Sequence, residues 1–108
     1  MSTYYPDRWM IVRITAESKS HYRVFASWGG GFAGSDEWKL NSGITKVELI
    51  NDSYHFHGES GSTYVCHKDH YGAFSYQRGV LNEMIEVSEK ISVEIIDESV
   101  DPLTIEYK

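Results

Sequence analysis

The shortness of the gaps between its alternating segments restricts this chain more than any other feature. In residues 9–16 the apolar Met10, Val12, Ile14 and Ala16 fall at every second position, with Arg13 and Thr15 between them, the period of a half-buried strand. Residues 21–28 repeat the pattern through Tyr22, Val24, Ala26 and Trp28, after a break of only Glu17-Ser18-Lys19-Ser20. Residues 44–50, 54–57 and 62–66 follow as further strand-like segments, separated by Asn51-Asp52-Ser53 and by Gly58-Glu59-Ser60-Gly61. A parallel connection needs about a dozen residues or more, so these breaks admit only hairpins. The chain reads as an antiparallel meander, with residues 38–40 as an additional short strand.

At Phe74 the period changes. Phe74, Leu81, Ile85 and Ser88, joined by Val80, Met84 and Val87, form a helical stripe on a segment that runs to Lys90. Residues 91–96 and 103–107 are β-rich again and predict one or two closing strands. At 108 residues, with 41% hydrophobic and 14% aromatic content, there is room for one core and none for a second domain. The expected fold is a single small α+β domain over residues 1–108. Its mostly antiparallel sheet curls around one helix in the C-terminal half, and barrel-like closure is one way to finish the meander. The expected core is Met10, Val12, Ile14, Val24, Val47, Leu49, Phe56, Val65, Leu81, Ile85 and Ile95. A Ser-Gly-x-Thr-x-Val echo, at Ser42 and again at Ser60, marks two turn-to-strand entries where glycine supplies a positive φ.

Charge narrows the function. There are 10 Lys and Arg against 16 Asp and Glu, a net charge of -6. Residues 1–81 are balanced, and from Asn82 onward eight acids face only Lys90 and Lys108, which is the whole deficit. Counterion release at phosphates has little to act on, so direct nucleic-acid binding is not expected. No apolar run approaches the roughly 20 residues of a membrane span, and a soluble chain is expected. Cys66 is the single cysteine, which allows no internal disulfide, and the opening MSTYYPDRW lacks the apolar stretch of a signal peptide. Both point to a reducing cytoplasm. The acids Glu83, Glu86, Glu89, Glu94, Asp97 and Glu98 either serve solubility or form a negative surface that competes for a partner's basic groove, as a nucleic-acid mimic would.

The run Gly29-Gly30-Gly31-Phe32-Ala33-Gly34 satisfies G-x-G-x-x-G after a strand. Residues 35–40 are too few to open the helix on which a pyrophosphate would sit, and Asp36 and Glu37 repel phosphate. The stretch reads instead as a contact loop for a protein partner, with Trp28, Gly30, Phe32 and Trp38 as its binding residues.

Four of the five histidines and Cys66 fall within residues 55–70. A four-residue turn at residues 58–61 sets His57 opposite Ser62 and His55 opposite Tyr64, which places His55, His57 and Cys66 on one face. A two-residue turn at Asp52-Ser53 sets Leu49 opposite Phe56 and Glu48 opposite His57. Imidazole and thiolate suit zinc, so this face is a candidate metal site. A three-residue turn would invert one strand. The same trio admits a thiol nucleophile with a histidine base, but Glu48 is the one carboxylate at hand and no oxyanion element accompanies it. Gly58-Glu59-Ser60-Gly61 does not fit the strand-turn-helix nucleophile elbow of serine hydrolases.

The expectation is a small, cytoplasmic, non-enzymatic binding protein of a bacterium or phage, with no cofactor, engaging a protein partner and compatible with a homo-oligomer. The alternatives are a zinc-binding protein using His55, His57 and Cys66, and an acidic phage-type inhibitor that mimics nucleic acid.

Overall fold

In the computed structural model, which describes residues 2–29, 37–73, 75–87 and 91–107, the chain runs through β1 (Thr3–Tyr4), β2 (Arg8–Ala16), β3 (Lys19–Trp28), β4 (Glu37–Leu40), β5 (Ile44–Ile50), β6 (Ser53–Gly58), β7 (Thr63–His67), α1 (Ser75–Val87) and β8 (Ile91–Ile95) to a 3-10 turn at Pro102–Thr104. The expected hairpins form, on turns tighter than their polar stretches suggest. Glu17 and Ser18 take φ of 51° and 71°, a left-handed pair whose twist matches that of the strands, so Ala16 already pairs with Lys19. Asn51, at φ 56°, similarly lets Ile50 pair with Ser53. The glycines of the echo, Gly43 and Gly61, have φ of 129° and 93°, as turn-to-strand entries require.

The strands make two sheets, β1-β7-β6-β5 and β4-β3-β2-β8, antiparallel throughout except for β1 against β7. Between the sheets, Trp9, Ile11, Val24 and Ala26 of the second meet Ile44, Phe56, Tyr64 and Cys66 of the first. On the far side of the second sheet, Met10, Val12 and Phe25 meet Leu81 of α1. The result is three layers around two cores, an open sandwich with a helix on its back. Neither sheet closes on itself, which corrects the barrel expectation. The chain changes sheets at Asn41, which is 2% exposed: its Oδ1 accepts from the Val24 N–H at 2.9 Å, and its own N–H donates to the Val24 carbonyl at 3.1 Å. That side chain satisfies a buried amide where β4 has ended.

This layering corrects the expected core. A half-buried β2 would leave alternate residues in water, yet Trp9 and Ile11 are each 1% exposed because both faces of the strand are covered. Leu49, at 43% exposure, lies near the end of a sheet edge, and Val65 pairs with His55 on the sheet face that no element covers among the described residues. Ile14, Val47 and Ile95 are half-buried at the margins. On α1 the inward stripe is Gln77, Leu81 and Met84, at i, i+4 and i+7, which rotates Ile85 outward to 36% exposure. The Gln77 Nε2 donates to the Trp28 carbonyl at 3.1 Å, so a buried polar residue occupies a place that a hydrophobic count assigns elsewhere.

Both chain ends also depart from expectation. Ser2 and the two residues of β1 add to β7, where the Thr63 N–H donates to the Ser2 carbonyl at 2.9 Å. Residues 103–107 form no strand: Asp101 accepts from the Leu103 N–H at 2.9 Å and caps the 3-10 turn, and Ile105 and Tyr107 then pack against the sandwich core. Among the described residues, no helix is long and apolar enough to cross a membrane.

Candidate functional site

The two tryptophans of the expected contact loop do not share a surface. Trp28 sits on the sandwich side, its ring N–H donating to the Tyr5 carbonyl at 3.1 Å and its edge meeting Tyr4 at 6.3 Å. Trp38, paired with Ser27, lies on the helix side and stacks on Phe25 at 5.6 Å. Both are anchors of the fold. Gly30 and Phe32 lie outside the described residues.

The histidine and cysteine trio is divided by one residue of register. The Gly61 N–H donates to the Gly58 carbonyl at 3.0 Å and the Gly58 N–H to the Ser62 carbonyl at 2.8 Å, a three-residue loop in which Gly61 supplies the left-handed residue. His57 therefore pairs with Thr63 and His55 with Val65, not with Ser62 and Tyr64. Strand β7 is inverted relative to the expected register, so Tyr64 and Cys66 enter the core while His55 and His57 stay on the uncovered face. Cys66 is 0% exposed, and burial raises its thiol well above the ordinary value. The β5–β6 register also slides, setting Val47 opposite Phe56 and Glu48 opposite His55, but by an even step that keeps every face assignment.

What the uncovered face does assemble is a chain of three polar groups. The His57 Nε2 donates to Glu48 Oε1 at 2.8 Å, and its Nδ1 is hydrogen-bonded to the Thr63 hydroxyl at 3.3 Å. The hydrogen bond from His57, reinforced by the nearby Lys46 charge, holds the Glu48 carboxyl below its usual value. The order carboxylate, imidazole, hydroxyl is that of a hydrolytic triad. Its hydroxyl lies on an interior strand whose Thr63 amide is already committed to the Ser2 carbonyl, not at an exposed turn with free amides. Among the described residues, no group of three or more His, Cys, Asp or Glu is placed to hold a metal ion.

The acids of the C-terminal part are dispersed. Glu83 and Glu86 are exposed on α1, and Glu94 faces Arg13 at 4.0 Å on β2. Asp97 accepts from the Ser99 N–H at 2.8 Å, which lowers its carboxyl pKa, and Asp101 caps the 3-10 turn. Glu89 lies outside the described residues.

A cleft of about 240 Å³ opens where the C-terminal segment meets the end of the sandwich. Trp9, Tyr54 and Tyr71 line it, with Lys68, Glu98 and Asp101 among its polar groups. Tyr54 and Tyr71 meet the Trp9 ring at 63° and 81°, with centroids 5.7 and 4.8 Å away, and because Trp9 is buried, the ring surface left at the cleft is that of the two half-buried tyrosines. The Trp9 ring is fixed by its N–H donating to the His67 carbonyl at 2.7 Å. The Tyr71 hydroxyl accepts from the Ile11 N–H at 3.3 Å and donates to the Ile96 carbonyl, and burial pushes its pKa up to about 12. Tyr54 is raised first by burial and then by the Asp101 charge, with Lys68 opposing. Apart from Glu98, read as one of the C-terminal acids, these residues were not singled out from the sequence. They come from separate stretches of the chain, and the only local sign was the turn chemistry around Asp101-Pro102. No family model, curated protein or solved structure matches the chain.

Proposed function

We propose that the chain is a non-enzymatic binding protein that takes a small organic cation in the cleft that Tyr54 and Tyr71 line over the buried Trp9. The observation that carries this reading is the pairing of two half-buried tyrosine rings, braced by the buried Trp9, with an excess of carboxylate at one opening. The ring faces attract a cation through their quadrupoles. Glu98 and Asp101 add negative charge, while the one ammonium of the lining, Lys68, lies 3.6 Å from the Asp52 carboxylate and has its charge offset there. The rings are held by packing and by hydrogen bonds to Trp9 and Tyr71, so little ordering is needed on binding. An ammonium displayed by a protein partner offers the same chemistry as a free amine. This moves the expected contact from the glycine loop, whose tryptophans are engaged within the fold, to the cleft.

Choline is a suitable probe, and its uncharged carbon isostere is the control. In isotopically labelled protein, choline should shift the Trp9 indole N–H signal, Tyr54→Ala should abolish the shift, and Glu98→Gln should weaken it. Equal response to the isostere would remove the charge argument, and no response to either would remove the cleft.

A further inference from the structure

Strand β5 is the outer strand of its sheet, and among the described residues no strand lies beyond it. Five of its seven residues are exposed, it contains no proline, and it ends in Leu49 and Ile50 at 43% and 46% exposure. A long edge with open backbone groups and apolar side chains is a template for another strand. Its charges say which strand fits. Lys46 and Glu48 point to the same uncovered face, opposite His57 and His55. Laid antiparallel against a second β5 with a two-fold axis through Val47, Lys46 comes opposite the partner's Glu48 and Glu48 opposite the partner's Lys46. Thr45 then meets the partner's Leu49. Moving the axis by one residue sets either Glu48 against the partner's Glu48 or Lys46 against the partner's Lys46, and like charges directly opposite are destabilising. One register alone is complementary.

We propose that the protein dimerises through β5 in this register, extending the sheet across a two-fold axis. The inference is independent of the cleft, which lies between other elements. The occupant is a second copy because the segment complements itself, as an isologous contact must. Glu48 already accepts from His57 through Oε1, and a carboxylate has a second oxygen for a lysine across the axis. The bulge between Ile44 and Lys46 bends one end of the strand, so the regular part of the contact centres on Lys46, Val47 and Glu48.

Sedimentation equilibrium across a dilution series, at low salt, provides the test. The mass should rise with concentration from 12.4 kDa to twice that value. Lys46→Glu alone, or Glu48→Lys alone, sets like charges together on both sides of the axis and should weaken the dimer by about tenfold or more. The double exchange, Lys46→Glu with Glu48→Lys, recreates complementarity and should restore the dimer. Thermal melts of each variant establish that it is folded. A wild-type chain that stays monomeric at every concentration, its β5 left for a strand of some other protein, overturns the proposal. So does a dimer indifferent to the single reversals, or one that the double exchange fails to restore.

Discussion

Cys66 shows how far a single residue's chemistry depends on which side of a strand it occupies. Beside His55 and His57 it would be an accessible thiol with a base nearby. In the core it has neither water nor a partner for its charge, and its pKa is raised by burial alone. We expect thiol reagents to modify it in native protein only as fast as the fold opens, with the rate climbing in dilute urea before the main transition. Immediate labelling of folded protein would mean that β7 carries the opposite face outward. Nothing near Cys66 in the sequence announces this outcome. Tyr54, Phe56, Val65 and Cys66 alternate acceptably in either phase, and the choice falls to Gly61, whose φ of 93° adds the odd residue to the loop. The loop length that separates the two candidate sites differs by one residue, and composition cannot report it.

At the scale of elements, the strands announce themselves because alternation and short turns are local properties. The hairpin of β2 and β3, the strand β4 and the order of β5, β6 and β7 were all legible. Partners distant in sequence were not: β1 is two residues long and carries no period, and its parallel pairing with β7 is visible only in three dimensions. The helix was legible but its phase was not, because Gln77 takes a buried position and turns Ile85 outward. This phase can be measured. Leu81→Ala should cost about 2–5 kcal/mol in urea unfolding, since it opens a cavity between α1 and the sheet. Ile85→Ala should stay within about 0.5 kcal/mol, as surface changes do. Comparable losses at both positions would return the helix to the stripe read from apolar spacing. The cleft was illegible for a related reason: its walls come from β2, β6 and two connections, and an aromatic residue looks the same in sequence whether it lines a core or a ligand site.

At the scale of the whole molecule, β2 belongs to two cores at once. Trp9 and Ile11 face the other sheet, while Met10 and Val12 face the helix. The partners that complete this arrangement arrive late in the chain: Val12 pairs with Ile95, and Leu81 of α1 covers Met10 and Phe25. Such distant pairings are slow to form, on a scale of roughly milliseconds to seconds. A nascent chain can close the hairpin of β2 and β3 as soon as both strands have left the ribosome, yet on the side bearing Met10, Val12 and Phe25 the cover from β4, where Trp38 stacks on Phe25, is not completed until the closing segments are synthesised. A fragment that stops at residue 73 should bind a hydrophobic dye and sediment as aggregates, while the full chain does neither. A fragment that remains dispersed and dye-silent would mean that the sandwich stands without its helix. The strand that ties the three layers together in the finished protein is, during synthesis, the segment with the longest wait for its neighbours and the greatest need of a chaperone.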